Sequence, residues 1–419
     1  MAITIQQFPI GGQVITMAHN PIEFVVSSTN TAQPNFKYIC DLTWTGQTTP
    51  VRYIQGADPT NGRCRFDFSS VLRNAVTFNP PTSGTSTNDF INCPDSYKTF
   101  YVAFGEQYGP TSGITTYTNL ATDGMYIWNA CLPIDRWWNA NDPVLKYVTG
   151  GSNQKFLTDI PTRTQDNPIK VCYSDWHYLY FLQDNSTDDV SFVRINTLDS
   201  SSTLINSFLW NTAYNATHNV QRFGCGPANL QLLGSELNFV SSVGPPYFDT
   251  NVDKYSVQLF DDKGNPLTEV IWFQVECECG WESHYRLCFL NKLGGYDFFN
   301  FGWNSKKTSS YQKSFYERKA WNWNNGQYQY NSYNRGKVQY STIGTDQLQL
   351  TSGWITEEQS TWLEELISSP DVYIIDSAGT LTAVTVKDTQ YDYKTLEYDQ
   401  LFNLTVTLEF AFNRYRQAL

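Results

Sequence analysis

The sequence predicts a mainly β protein of several β-sandwich or β-barrel-like modules, with one short helix at about residues 357–369. Three observations support this fold class. Aromatic residues make up 16% of the 419-residue chain and charged residues only 16%, whereas helical proteins are rich in Ala, Glu, Lys and Leu. Apolar and polar residues alternate with period two in several segments. Tracts rich in Gly, Pro, Asn and Ser separate those segments, as turns do.

A chain of this length favours two to four domains. Changes in composition indicate three: an N-terminal β domain over residues 1–105, a loop-rich middle β domain over 106–248, and a C-terminal β-rich domain with one capped helix over 249–419. In the middle region, short apolar runs alternate with polar turns. Long loops of this kind are more typical of binding or assembly surfaces than of compact enzyme domains.

In the first region the clearest strand covers residues 36–44, where every second residue is apolar. These residues are Phe36, Tyr38, Cys40, Leu42 and Trp44. Pro21–Ser28 precedes this strand and is predicted to pair with it. Arg63–Phe68 is a shorter alternating run, and Ser69 or Ser70 is predicted to cap a brief helix that follows it.

The C-terminal region contains a predicted β-hairpin. Lys254–Phe260 and Val270–Cys279 are predicted strands, and Arg286–Phe301 then forms two apolar strands joined by a turn at Asn291–Gly295. Gly294 and Gly295 can adopt the positive φ of a tight turn without steric cost. We therefore expect a buried β-hairpin whose turn can use the positive φ that these glycines allow.

A helix and a long strand follow near the end of the chain. Thr356 and Gln359 fit a capping box, Pro370 ends the helix, and a strand begins at Val372. Residues 402–412 then alternate six times between apolar and more polar side chains, which predicts a long final strand. An unpaired strand of this length can pair with another chain, so we expect it to contact neighbouring copies.

The net charge is −12, and no run of basic residues stands out. Nucleic acids and anionic membranes bind through Lys and Arg, so neither is predicted as a partner. No secretory signal is visible, and no apolar run approaches the roughly 20 residues that span a bilayer. We therefore expect synthesis in a cytoplasm.

Candidate catalytic and metal-binding residues are few. The chain has four His, no Gly-x-Ser-x-Gly elbow and no phosphate-binding loop, so no enzyme activity, cofactor or metal is predicted. Cys277, Cys279, His284 and Cys288 have the residue types of a zinc site, but the Cys-x-Cys spacing is shorter than usual and favours buried thiols in a sheet. Chance pairs among 40 acidic residues leave a glycoside hydrolase open as a further alternative.

Aromatic residues in polar segments are the candidate interaction surface. They comprise Trp137, Trp138, Trp321, Trp323, Tyr328 and Tyr330. Aromatic rings beside Asn and Asp stack on sugars, but Trp and Tyr are also enriched where proteins contact each other. A protein contact is the favoured interpretation, and a carbohydrate-binding surface is the alternative.

Seven segments resemble, in order, a family of virion structural proteins of tailed phages that infect Bacteroidetes-type bacteria. They are residues 19–28, 33–39, 128–133, 155–161, 178–182, 287–301 and 362–373. The resemblance implies a non-enzymatic component of the tail or its adaptor, located in the virion. Its partners would be copies of itself in a symmetric oligomer and other virion proteins. The alternative is a receptor protein at the tail tip that binds a host surface glycan.

Overall fold

The structure is a computed structural model of the chain. It describes residues 3–9, 15–81, 90–133, 135–136, 146–183, 190–211, 219–231, 239–240, 248–276, 284–319, 321–388 and 403–415. Strands account for 49% of these described residues and helices for 7%, which confirms the mainly β prediction.

The chain divides into two compact units, described separately below. The first unit is Met1–Glu278 with Leu290–Asp297, and the second is Cys279–Phe289 with Phe298–Leu419. The predicted division at residues 105 and 248 differs from these units. Strands that follow residue 248 pair with strands that precede it, and residues 91–92 pair with a strand beyond residue 218.

The first unit contains eighteen described strands and two short helices. In chain order they are β1 (Ile3–Gln7), β2 (Ile15–Met17), β3 (Glu23–Ser28), β4 (Lys37–Trp44), β5 (Val51–Gln55), β6 (Arg63–Asp67), α1 (Ser69–Leu72), β7 (Ile91–Asn92), β8 (Tyr97–Tyr108), β9 (Thr115–Ala121), β10 (Met125–Trp128), β11 (Ile169–Val171), β12 (Tyr178–Gln183), β13 (Phe192–Leu198), β14 (Leu204–Asn211), β15 (Asn219–Gly224), α2 (Pro227–Gln231), β16 (Phe239–Val240), β17 (Lys254–Phe260) and β18 (Ile271–Val275).

The N-terminal part of this unit is a sandwich. A three-stranded sheet, β1-β3-β6, faces a sheet in the order β2-β10-β8-β4-β5, to which β9 adds beside β8. Phe24 and Phe66 of the small sheet lie 5.5 and 5.9 Å from Phe104 of the large one, ring centroid to centroid. The predicted pairing of Pro21–Ser28 with residues 36–44 is therefore wrong, because β3 faces β4's sheet across the core.

The brief predicted helix is α1, with a different cap. Phe68 is the N-cap residue and offers no side-chain cap. The Asp67 carboxylate instead accepts a hydrogen bond from the Ser69 backbone N–H at 2.9 Å. The Ser69 and Ser70 side chains therefore do not cap this helix.

The second part of the first unit repeats the same layering. A six-stranded sheet, β11-β18-β17-β13-β14-β16, accompanies a three-stranded sheet, β12-β15-β7. Phe273 of the large sheet stacks on Tyr255 at 4.7 Å and meets His177, which precedes β12, edge to face at 5.1 Å. His177 is 3% exposed, so its ring is part of the packing between the two sheets.

The turn of the predicted hairpin is buried in the first unit. Asn291 accepts hydrogen bonds from the backbone of Leu293 and Gly295 through its side-chain oxygen, and donates to the Leu157 carbonyl at 2.8 Å. Gly294 has φ +82°, as predicted, but Gly295 does not have a positive φ. Gly295 is required for another reason, since a Cβ there would lie 2.6 Å from the Leu157 carbonyl oxygen.

The second unit contains ten described strands and one helix. They are β19 (Tyr285–Leu290), β20 (Tyr296–Phe301), β21 (Asn304–Glu317), β22 (Trp321–Asn324), β23 (Gln327–Tyr330), β24 (Lys337–Thr351), α3 (Glu357–Ser368), β25 (Val372–Ile375), β26 (Leu381–Val386), β27 (Thr405–Phe410) and β28 (Arg414–Tyr415).

The main sheet of this unit must be strongly curled. Its strand order is β20-β19-β25-β26-β27-β24-β21, with β28 beside β24. Seven strands laid flat would place the first and last about 29 Å apart. Yet β20 ends at Phe301 and β21 begins at Asn304, a connection that can span at most about 11 Å. The sheet therefore curves until its edge strands approach at this point.

The predicted helix is confirmed as α3. Thr356 accepts a hydrogen bond from the Gln359 backbone, and the Gln359 side chain accepts one from the Thr356 backbone, which completes the capping box. Trp362 lies 5.5 Å from Phe289 and 6.1 Å from Phe299, ring centroid to centroid. The apolar face of α3 therefore covers the β19–β20 hairpin.

The final strand is shorter and more central than predicted. β27 spans Thr405–Phe410 and pairs with β24 on one side and β26 on the other. Its described backbone ladder is thus occupied within the chain, so the expectation that it pairs with neighbouring copies is wrong. No described helix is long and apolar enough to cross a membrane.

Candidate interaction surface

The second unit carries a long two-stranded ribbon with exposed side chains. β21 pairs with β24 over fourteen residues, and thirteen of its residues are exposed. At the base of the ribbon, β24 also pairs with β27 and β28. The residue of β24 farthest from the base that makes such a pair is Ile343. Beyond that point the described ribbon consists of β21 and β24 alone. We call residues 304–340 the arm.

The arm ends in a second hairpin, formed by β22 and β23. Asn324 pairs with Gln327, so only Asn325 and Gly326 form the loop, with φ of 45° and 84°. Two consecutive residues with positive φ are the mark of a type I′ turn, for which Asn-Gly is the preferred sequence. The sequence of the loop therefore sets the register of the four residue pairs.

This register gives the hairpin two chemically different faces. Directly paired residues share a face, and alternate residues along a strand also do. One face therefore carries four aromatic residues, and the opposite face carries four amides. The aromatic face is Trp321, Trp323, Tyr328 and Tyr330, and the amide face is Asn322, Asn324, Gln327 and Gln329.

The aromatic face is open to solvent. The exposed fractions are 50% for Trp321, 63% for Trp323, 72% for Tyr328 and 64% for Tyr330. Side chains of this size expose on the order of 500 Å² together, which is comparable to the largest apolar patch of a typical monomer. Patches of this size are often functional, so this face is the candidate contact surface.

The rings pack edge to face. The Trp323 and Tyr328 ring centroids are 4.8 Å apart with an interplanar angle of 88°, and those of Trp321 and Tyr328 are 6.5 Å apart at 82°. This packing stabilises an isolated hairpin that would otherwise be marginal in water. It also means that these rings share no common plane on which a flat sugar face could lie.

The arm is positively charged although the whole chain is acidic. It contains seven of the 28 Lys and Arg residues and one of the 40 Asp and Glu residues. The arm therefore carries a net charge of +6, and the rest of the chain −18. Among the described residues, only Lys307 of these cations forms an ion pair, with Asp346. The other six have no acidic partner there: Lys306, Lys313, Arg318, Lys319, Arg335 and Lys337.

Asp346 holds the base of the arm. Its carboxylate accepts a hydrogen bond from the Ser309 hydroxyl at 2.6 Å and forms ion pairs with Arg414 and, at 3.9 Å, with Lys307. The hydrogen bond from Ser309 and the two cations hold the pKa of Asp346 below its usual value. Ser309 and Lys307 are on β21 and Asp346 is on β24, so the carboxylate joins the two strands of the ribbon.

We expect the base of the arm to loosen in acid. The pKa of Asp346 is lower in the folded chain than in the unfolded chain. The ionised carboxylate therefore stabilises the folded arm fully above the pKa of the unfolded chain, about 3.9. This stabilisation is lost as the pH falls through the lower pKa of the folded chain. Hydrogen exchange of β21 amides should rise more below pH 4 in the wild type than in Asp346→Asn. Equal pH dependence in both proteins would contradict this role.

The structure brings four of the six predicted surface residues together. Trp321, Trp323, Tyr328 and Tyr330 form one face, whereas Trp137 and Trp138 lie outside the described residues. Cys277 and Cys279 of the considered zinc set also lie outside them, and Cys288 is buried in β19. Of the described histidines, His19 contacts the Asn129 side chain at 2.9 Å, and His177 is packed between sheets.

Two features of the surface were missed by the sequence predictions. The terminal hairpin was not predicted, although Asn325-Gly326 between two alternating aromatic segments is a strong hairpin signal. The charge of the arm was also missed, because its cations are spread over 37 residues and form no run. A count of charge in a moving window would have found it.

Comparisons of the sequence with protein-family models and with curated proteins give no match. No family is therefore assigned by similarity. The functional interpretation depends on the chemistry of the arm.

Proposed function

We propose that this chain is a non-enzymatic structural protein that assembles through its arm into a symmetric oligomer, as a component of a tailed-phage tail or adaptor. The observation that carries the proposal is the aromatic face of the β22–β23 hairpin, whose rings are half to three-quarters exposed. The resemblance of seven ordered segments supports the assignment to a virion.

The arm has the physical character of a protein contact. Trp and Tyr supply much of the binding energy at protein interfaces, because a large ring is buried with little loss of side-chain entropy. Contact with a neighbour would bury about 500 Å² of aromatic surface and so relieve the unfavourable free energy of its exposure to water. A ring of copies follows when each arm contacts a different surface of the next chain, because such heterologous contacts can close.

Mass spectrometry of purified phage particles that encode the chain tests this function. We expect the chain among the virion proteins, at the same fixed copy number in every particle, because a closed ring contains a set number of chains. Particles that lack the chain, or hold it only at trace levels compared with known structural proteins, would reject a structural role.

The carbohydrate-binding alternative is favoured by the same exposed rings. It is weakened by the edge-to-face packing of Trp323 with Tyr328. A glycan array with the wild type and Trp321→Ala separates the two functions. Specific glycan binding that Trp321→Ala abolishes would make the tail-tip receptor function the better one.

A further inference from the structure

We propose that the arm of one chain docks on the acidic outer face of helix α3 in a second copy of the same chain. This inference rests on the proposed assembly function and names the surface that receives the arm. It follows from three observations: the charge of the arm, the charge of the rest of the chain, and the pattern of α3.

The second copy is the partner that the charge distribution favours. The arm carries +6, and the remainder of each chain carries −18. Complementary charges raise the association rate and select the orientation of docking. A neighbouring chain therefore supplies an acidic surface at the same concentration as the arm itself.

Two arms do not fit each other. β21 is an edge strand whose outer backbone edge is unpaired among the described strands, so two copies could in principle join edge to edge. Lys306, Lys307 and Lys313 are spaced along this edge, however, and lysines on an edge strand oppose such pairing. The like charge of two arms therefore directs each arm to a different surface of its neighbour.

Helix α3 provides an acidic face of suitable size. Glu357, Glu358 and Glu364 are exposed, and no described Lys or Arg forms an ion pair with them. Glu357 and Glu364 lie on the side of the helix opposite the buried Trp362 and Leu366, as the 3.6-residue period requires. Glu358 lies one turn before Trp362, at the exposed first turn beside this outer face. The helix has no basic residue, so every charge that its outer face carries is negative.

A single-stranded nucleic acid is the other polyanion to consider. Proteins that bind it present separate aromatic platforms on which bases stack, together with a continuous basic groove. In the hairpin, the edge of one ring covers the face of another, and the six cations without an ion pair among the described residues are spread along the arm. These features favour a protein surface over stacked bases.

Reversal of charge tests the docking directly. The arm variant carries Lys306→Glu, Lys313→Glu, Lys319→Glu and Arg335→Glu, and the helix variant carries Glu357→Lys, Glu358→Lys and Glu364→Lys. Sedimentation velocity of the full chain should show that each variant alone associates at least about 10-fold more weakly than the wild type. An equimolar mixture should recover association to within about threefold, because each arm then meets a complementary helix.

The mixture keeps the test valid if one variant is less stable, because a gain on mixing cannot come from unfolded protein. Loss in each variant without recovery on mixing would overturn docking on α3. Wild-type association in the arm variant would overturn the charge mechanism but leave the assembly function intact. A wild type that remains monomeric at every concentration would reject the assembly function itself. Binding of a single-stranded oligonucleotide that the arm variant loses, without self-association of the wild type, would assign the arm to nucleic acid.

Discussion

Gly294→Ala is expected to destabilise the first unit by about 3 kcal/mol. The residue has φ +82°, and a left-handed backbone costs an alanine about 1 kcal/mol or more. A Cβ at this position would also overlap the backbone carbonyl oxygen of Asn129. Relieving such overpacking costs a further 1–3 kcal/mol, approximately, because the turn is fixed by Asn291 and cannot move freely.

Gly264→Ala is the matched control. Gly264 has nearly the same φ, +84°, but no atom lies within 4 Å of its Cβ position. The Gly264→Ala variant should be destabilised only by the cost of an alanine in the left-handed conformation, about 1 kcal/mol. Differential scanning calorimetry should place the melting temperature of Gly294→Ala roughly 6–12 °C below that of the wild type. Equal losses in the two variants would show that the Asn129 contact has no energetic role.

Trp321→Thr with Tyr330→Thr is expected to weaken self-association roughly 700-fold, because two interface residues of this kind contribute about 2 kcal/mol each, or about 4 kcal/mol together. Thr retains the preference for strand. The Trp323–Tyr328 pair next to the turn remains, so the hairpin is retained. Sedimentation velocity over a concentration series measures the change.

The control variant is Asn322→Thr with Gln329→Thr. These residues form the neighbouring cross-strand pair, so the substitutions change the same hairpin to the same extent on its opposite face. We expect less than a threefold change in association, approximately, because rim polar contacts contribute little. If the control weakens association as much as the aromatic variant, the aromatic face is not the contact surface.

Local patterns predicted the elements that depend on local chemistry. The capping box of Thr356 and Gln359 satisfies backbone groups within one helical turn, so it can be read directly from the sequence. Period-two alternation likewise predicted β4 and β6. In β4, the predicted inward residues Tyr38, Cys40 and Leu42 are fully buried.

Strand partners depend on contacts that sequence spacing does not contain. The period of Glu23–Ser28 is the same whether it pairs with β4 or faces it across a core, and only the fold makes the choice. The final strand shows the same limit. Val406 and Leu408 are buried as the alternation requires, but the pattern could not show that β24 and β26 already occupy both edges.

The surface was predicted only in part. The sequence shows which residues are aromatic, but only the strand register shows which of them share a face. A cluster of Trp and Tyr indicated a contact surface, but a composition cannot show that four rings share one face. That fact follows from the Asn325-Gly326 turn, which sets the register. The net charge of −12 concealed the positive arm, since a sum over the chain removes local differences in sign.

Hydrogen–deuterium exchange of the arm at low and high protein concentration tests the central claim most directly. If the arm is the assembly surface, the backbone amides of residues 321–330 should exchange at least about 10-fold more slowly in the oligomer than in the monomer, because an isolated two-stranded hairpin opens readily. Slower exchange elsewhere on the chain, with unchanged exchange in residues 321–330, would contradict the account.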